Sequence, residues 1–199
     1  MSKTTIPTGG ITADAINGTL IADDAINSEH YTDGSIDTAH IGDSQVTAAK
    51  TSGVGGANTP IFHASLGADQ NIADQTHTKI NLNREVLDSG SKYDTSNYRF
   101  TPGETGYYAF QITFTLETAI GGSDTMYIYL YKNGSSVGIN PVHRNIPNGN
   151  SIRALFIDQA TNTSDYYEAY AWHNVGSNVG LYESSSSSLT YWHGYKLIS

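Results

Sequence analysis

Large apolar residues alternate with small or polar ones over residues 107–116: Tyr108, Phe110, Ile112, Phe114 and Leu116 point one way, and Tyr107, Ala109, Gln111, Thr113 and Thr115 the other. That alternation predicts a strand with one face in a core, at the centre of a β domain. Pro102 cannot donate to a ladder, so Pro102-Gly103 belongs in the corner before the strand, which Gly106 then opens. Residues 125–132 alternate Met126, Ile128 and Leu130 against Tyr127, Tyr129 and Tyr131. Both faces are bulky there, so the tyrosine face is expected to be covered as well. Asn133-Gly134 then supplies the tight turn of a hairpin. Residues 61–66, 78–87, 151–158, 165–172 and 189–198 read as further short strands between turn signals. No helix longer than a turn or two is expected. The prediction for residues 60–199 is an all-β sandwich or jelly roll.

The first fifty residues follow another period. Aliphatic or aromatic residues recur every five positions, at Ile11, Ile16, Ile21, Ile26, Tyr31, Ile36, Ile41 and Val46. A ten-residue unit aligns Asp23, Asp33 and Asp43 at its third position and His30, His40 and Lys50 at its tenth. Five is odd, so an unbroken strand would throw successive apolar residues to opposite faces, and a helix would let them drift around its surface. The chain is therefore expected to bend once per repeat, or several chains wind about a shared axis. Residues 1–50 read as a trimeric stalk, with disorder or docking to another protein as the alternatives. Three copies of one histidine about an axis could bind a cation, but with no His-x-His pair the histidines read as polar positions at a bend. Residues 51–59 are small and Gly-rich, a linker.

Composition narrows the function classes. A net charge of −9 argues against nucleic acid or anionic membranes as partners, and the absence of cysteine excludes disulfides and thiolate metal sites. No apolar run approaches a membrane span, and the start lacks the apolar stretch of a signal peptide. No nucleophile elbow, phosphate loop or zinc-hydrolase motif is present, so neither a catalytic residue nor a cofactor is expected.

The run V-L-D-S-G-S-K-Y-D-T-S-N-Y-R-F-T-P-G-E-T-G-Y-Y-A-F resembles the globular head of the complement C1q family, which shares its jelly roll with tumour necrosis factor. The residues that carry the match are Tyr93, Asp94, Phe100, Pro102, Gly106, Tyr107, Tyr108 and Phe110. Asn133 and Gly134 in the hairpin, with Gly194 and Tyr195 in the closing Y-W-H-G-Y-K-L, extend it. The resemblance implies a C1q/TNF-like homotrimeric knob over residues 60–199. With no cysteine and no collagen-like stem, a complement role is out of consideration. The decapeptides resemble those of tail and head fibres of tailed bacteriophages, particularly of marine cyanobacteria. Together the two resemblances imply a non-enzymatic virion fibre. Its N-terminal segment would join other virion proteins, and its knob would bind a host-surface glycan or protein. A purely structural capsid decoration and a polysaccharide-degrading tail spike are the alternatives.

Weak binding candidates lie in the predicted loops: Asn145, Asn148 and Asn150, Ser184, Ser186 and Ser188, and His173 beside Trp172. Trp172-His173 and Trp192-His193 are look-alike pairs in which one side chain packs and the other meets solvent or a neighbouring subunit. Asp88, Asp94, Asp124, Asp158 and Asp165 could offer oxygen to calcium, but they read as ordinary turn chemistry. No metal site is expected.

Overall fold

The computed structural model describes residues 58–197 apart from 185 and 186, the backbone alone over 141–143, and scattered positions between Pro7 and Val46. Contacts divide the chain into two units, Met1–Val54 and Gly55–Ser199. In the first unit the chain bends at each apolar position of the five-residue period. Several turns between them are closed by backbone bonds, such as Ala15 N to Thr12 O at 3.1 Å and Ser35 N to Thr32 O at 2.9 Å. The bends settle the geometry of the repeat, and they leave its apolar side chains 37–54% exposed within one chain. Asp23, Asp43 and Lys50 lie outside the described residues.

Among its described residues the second unit has thirteen strands: β1 (Ile61–Ser65), β2 (Gln70–Ile72), β3 (Thr78–Lys79), β4 (Arg84–Asp88), β5 (Tyr93–Asp94), β6 (Arg99–Phe100) and β7 (Gly106–Thr115), then β8 (Met126–Lys132), β9 (Ser135–His143), β10 (Ser151–Ala160), β11 (Tyr167–His173), β12 (Val179–Leu181) and β13 (Tyr191–Lys196). One sheet has the order β10-β7-β13-β1-β4, and the other has β5-β6-β11-β8-β9 with β3 also paired to β11. β2 and β12 form a small third sheet. One continuous core joins the two large sheets, and Phe110 of β7 meets Tyr167 of β11 across it with ring centroids 4.6 Å apart.

The strand predicted as central is second from the edge, and the closing strand β13 holds the middle of its sheet. Tyr108, Phe110, Ile112 and Phe114 of β7, with Leu116 just beyond it, are buried as alternation requires. Its opposite face is not simply solvated: Ala109, Thr113 and Thr115 are buried because β10 and β13 flank them on both sides. The run over residues 78–87 is not one strand. β3 and β4 lie in different sheets, and Ile80 and Leu82 between them are fully buried. Apolar residues two apart there plug the core where the chain crosses it.

The family-motif residues close this core. Tyr93 stacks on Phe62 at 5.1 Å and donates its hydroxyl to Leu82 O at 2.9 Å, while Phe100 stacks on the other side of Phe62 at 4.3 Å. Asp94 accepts from the amides of Ser96 and Asn97 and from Asn97 Nδ2, bonds that hold its carboxyl below the usual range. Pro102 is buried in the corner, whereas Tyr107 faces outward. Tyr108 is buried with its hydroxyl on Glu104 O, and burial, with Glu104 adding, pushes the phenol up to about 12. Asn133 and Gly134 both take positive φ, 51° and 79°, which the two-residue turn between β8 and β9 demands.

Gly194 explains the aromatic-x-Gly-aromatic pattern of β13. A Cβ there would lie 2.9 Å from Cε1 of both Phe110 and Phe62. Both rings are fully buried in the core, so one of them must shift to admit the methyl. Gly194→Ala is therefore expected to destabilise the domain by about 1–3 kcal/mol through overpacking. A fall in the urea midpoint with unchanged slope checks this; an unchanged midpoint would mean that the rings can move aside.

Candidate functional site: a loop crown

Strand register places two of the nominated loops at one end of the sandwich. The C-terminal end of β7 meets the start of β10 and of β13, with Thr115 opposite Ser151 and Thr113 opposite Tyr191. Leu116 N donates to Asn150 O at 3.0 Å and Gly149 N to Leu116 O at 2.8 Å, so residues 147–150 turn back on β7. A second tie joins Ile120 and Ile146, each donating to the other's carbonyl at 2.9 and 3.0 Å. Ile146 is thereby buried, while Asn145, Asn148 and Asn150 are exposed.

The serine loop converges on the same strand end. Tyr182 N donates to Thr115 O at 2.9 Å, and Thr115 Oγ1 donates to Leu189 O at 2.8 Å. Thr115 N donates to the hydroxyl of buried Thr190 at 3.1 Å. Within the loop, Ser187 N donates to Ser184 Oγ at 3.2 Å, and Ser188 is half-buried. Ser186 lies outside the described residues. The crown thus offers amide and hydroxyl groups on loops whose roots are tied to one strand. That chemistry suits hydrogen bonding to an uncharged polar ligand more than electrostatic capture.

His173 does not belong to this surface. It is fully buried at the end of β11, which removes it as a binding candidate; of its pair His173 packs and Trp172 is half-exposed. Its Nδ1 accepts from Val175 N at 3.4 Å, which leaves Nε2 to donate to Ile72 O at 2.9 Å. The imidazole ties β2 to β11. In the other pair Trp192 packs and His193 faces outward.

The tyrosine face of β8, expected to be covered, is half-exposed, and its rings pack sideways on their neighbours in the same sheet and on His77. Tyr131 stacks on Tyr170 at 4.1 Å, Tyr127 meets Trp172 at 5.6 Å, and His77 lies against Tyr129 at 4.7 Å. Beside them Glu168 is buried between Lys79 Nζ at 2.6 Å and Arg99 Nη2 at 2.8 Å, an arrangement that sequence spacing could not reveal because the three lie on separate strands. Four of the candidate calcium aspartates, Asp88, Asp94, Asp158 and Asp165, are engaged in turns and ion pairs, and Asp158 and Asp165 share Lys132 Nζ at 3.5 and 3.2 Å. Asp88 accepts from Lys92 N and Tyr93 N, Asp158 from Tyr167 OH, and Asp165 from Asn133 Nδ2, Thr161 N and Asn162 N. Those bonds, led by the Asn133 amide, hold the Asp165 carboxyl far below its ordinary range. Among the described residues no three His, Asp or Glu side chains gather as metal ligands, and no helix is long and apolar enough to cross a membrane.

Two packed antiparallel sheets, with the last strand paired between the first and the seventh, define a jelly-roll sandwich of the C1q and tumour necrosis factor type. Among solved structures, the vertex protein P5 of phage PRD1 superposes with a TM-score of 0.51 at 11% identity, over 72% of this chain and 100% of that one. Murine APRIL gives 0.49 at 16% identity over 69% of this chain and 98% of its own. The globular domain of zebrafish complement 1qA gives 0.43 at 13% identity over 70% and 98%. At these identities the likeness is one of fold. Neither a scan against protein-family models nor a search of curated proteins finds a match.

Proposed function

We propose that this protein is a homotrimeric virion fibre that recognises the host surface with its loop crown, without catalysis. The observation that carries this reading is polarity along the sandwich. The chain enters the domain at Ile61, and register puts Ile61 beside Tyr195, at the end away from Thr115. The crown loops gather at the opposite end, so the surface farthest from the attachment is the polar, loop-built one. Loops on a rigid scaffold are where recognition is usually placed. Three copies would turn weak individual contacts into useful avidity. The N-terminal repeat, with its half-exposed apolar positions, would serve as stalk and as the link to other virion proteins.

Asn148→Ala and Ser188→Ala are expected to weaken adsorption of the purified protein to host cells while leaving the melting temperature within about a degree or two of wild type, because surface-loop changes of this size, at an exposed and a half-buried position, move stability by no more than about 0.5 kcal/mol. Unchanged adsorption in both would remove the crown as the recognition surface. Capsid decoration is the second reading, favoured by the fold likeness to a vertex protein. Immunogold labelling at a capsid vertex rather than the tail would support it. Release of reducing sugar from host polysaccharide by the pure protein would instead establish the tail-spike reading.

A further inference from the structure

The outer face of the sheet that holds β8 and β11 carries a cluster of rings apart from the crown. Register puts Trp172 opposite Tyr127 and Tyr170 opposite Tyr129, with Glu168 opposite Tyr131. All five rings are half-exposed. Their centroids lie 6.0 Å apart from Tyr127 to Tyr129, 6.2 Å from Tyr129 to Tyr131 and 5.6 Å from Tyr127 to Trp172. Those spacings are comparable to the length of one pyranose unit.

We propose that this face binds an uncharged glycan, with sugar rings packed against the aromatic rings and sugar hydroxyls bonded to the phenol and indole groups beside them. The inference goes beyond the crown reading and does not depend on it.

Charge selects the class of ligand. Among the described residues, four charged side chains stand on this face, and they cancel in number. Glu168 is clamped between Lys79 and Arg99, and Asp94 lies opposite Arg99 in register. Both cations are turned onto rings of the same chain, Arg99 over Tyr166 at 3.9 Å and Lys79 over Tyr98 at 5.9 Å. The chain as a whole carries −9, so this is a neutral area on an acidic protein. Such an area gives a charged polymer no steering, and it takes a neutral one without burying an unpaired charge.

The rings supply what a sugar needs. A pyranose offers C–H groups on its faces and hydroxyls around its rim. The negative face of an aromatic ring attracts the C–H groups, and phenol and indole edges meet the hydroxyls. The hydroxyls of Tyr127, Tyr129 and Tyr170 and Trp172 Nε1 have no hydrogen-bond partner among the described residues, whereas the Tyr131 hydroxyl is bonded to His77 Nδ1 at 3.1 Å. Burial holds the Tyr129 and Tyr170 phenols above their ordinary value, so each keeps the proton it would donate. An extended peptide suits the face less well. β8 lies between β11 and β9, and β11 is paired to β8, β6 and β3, so the backbone groups that strand addition requires are already bonded. A glycan needs side chains only. The rings pack on one another above paired strands, which limits the side-chain freedom lost on binding.

Affinity gel electrophoresis of the full chain tests this, with hydroxyethylcellulose, galactomannan and dextran as neutral polymers and alginate as an acidic one. At least one neutral polymer is expected to retard the protein. It should also shift the tryptophan emission, because Trp172 is half-exposed while the only other tryptophan, Trp192, is fully buried. Trp172→Ala and Tyr129→Ala should each raise the apparent dissociation constant about tenfold, the share of one lost ring contact. Circular dichroism reports their folding; where an alanine variant unfolds, Trp172→Leu fills the space without a ring and takes its place. No retardation by any neutral polymer overturns the proposal, and so does stronger retardation by alginate than by all of them. Retardation kept in both ring variants but lost in Asn148→Ala and Ser188→Ala would place glycan binding in the crown and overturn this face alone. Emission that shifts with a proline-rich peptide and with no polymer would give the rings to a peptide partner. Self-association lost in folded Trp172→Ala, read by sedimentation velocity, would give them to a second copy of the chain.

Discussion

A chain ending at Thr190 is expected to be insoluble or molten. It lacks only β13 and the few residues after it, but β13 pairs with β1 along Ile61–Ser65 and with β7 from Tyr108 to Thr113. Its removal exposes two unpaired ladders in the middle of a sheet. It also removes Trp192, which is fully buried and meets Phe62 edge-on at 4.6 Å. Loss of one buried large aromatic side chain costs about 3–5 kcal/mol, a large share of the roughly 5–15 kcal/mol that holds a domain together. Residues 57–199 alone are expected to remain folded and self-associated, since the strands and core of the second unit lie within them. Near-ultraviolet circular dichroism and light scattering on the two truncations check both expectations. A soluble, cooperatively melting 1–190 chain would show that β1 and β7 can hold the sheet without their shared neighbour.

Phe110→Ala should give the largest loss from a single side chain, about 3–5 kcal/mol per subunit. Phe110 is fully buried, and its ring lies 4.6 Å from Tyr167, 5.9 Å from Trp192 and 6.1 Å from Phe100 by centroid. Rings of both sheets converge there, and rigid rings fill a vacated space poorly. Urea denaturation reads the loss, and adsorption at a temperature where the variant is still folded should be unchanged. A coupled measurement is sharper. Gly194→Ala clashes with the ring that Phe110→Ala removes, so the two changes together should cost less than their sum. Additive losses would mean that the Phe62 contact, rather than Phe110, limits the space at Gly194.

Some of this architecture is written locally and some is not. The alternation of residues 107–116 and 126–131 determined which side chains enter the core, because a strand's period of two is a property of the backbone. The turn at Asn133-Gly134 and the small residue at Gly194 are local in the same sense. Outside these, pattern and position part company. Residues 78–87 alternate as one strand but split between two sheets, because Ile80 and Leu82 serve the core during a crossing. β2, β5, β6 and β12 are two or three residues long and show no period to read. His173 looked like a loop residue beside a tryptophan, and only the approach of β2 explains its burial. The convergence of the two loop roots on Thr115 and Leu116, and of His63 with His193, depends on which strands are neighbours. Strand order is set by non-local pairing between segments up to 134 positions apart, as Ile61 and Tyr195 are, and no local pattern carries that information. The sequence by itself determined the inward and outward face of each long strand; the crown and the tyrosine face exist because tertiary pairing aligned those strands.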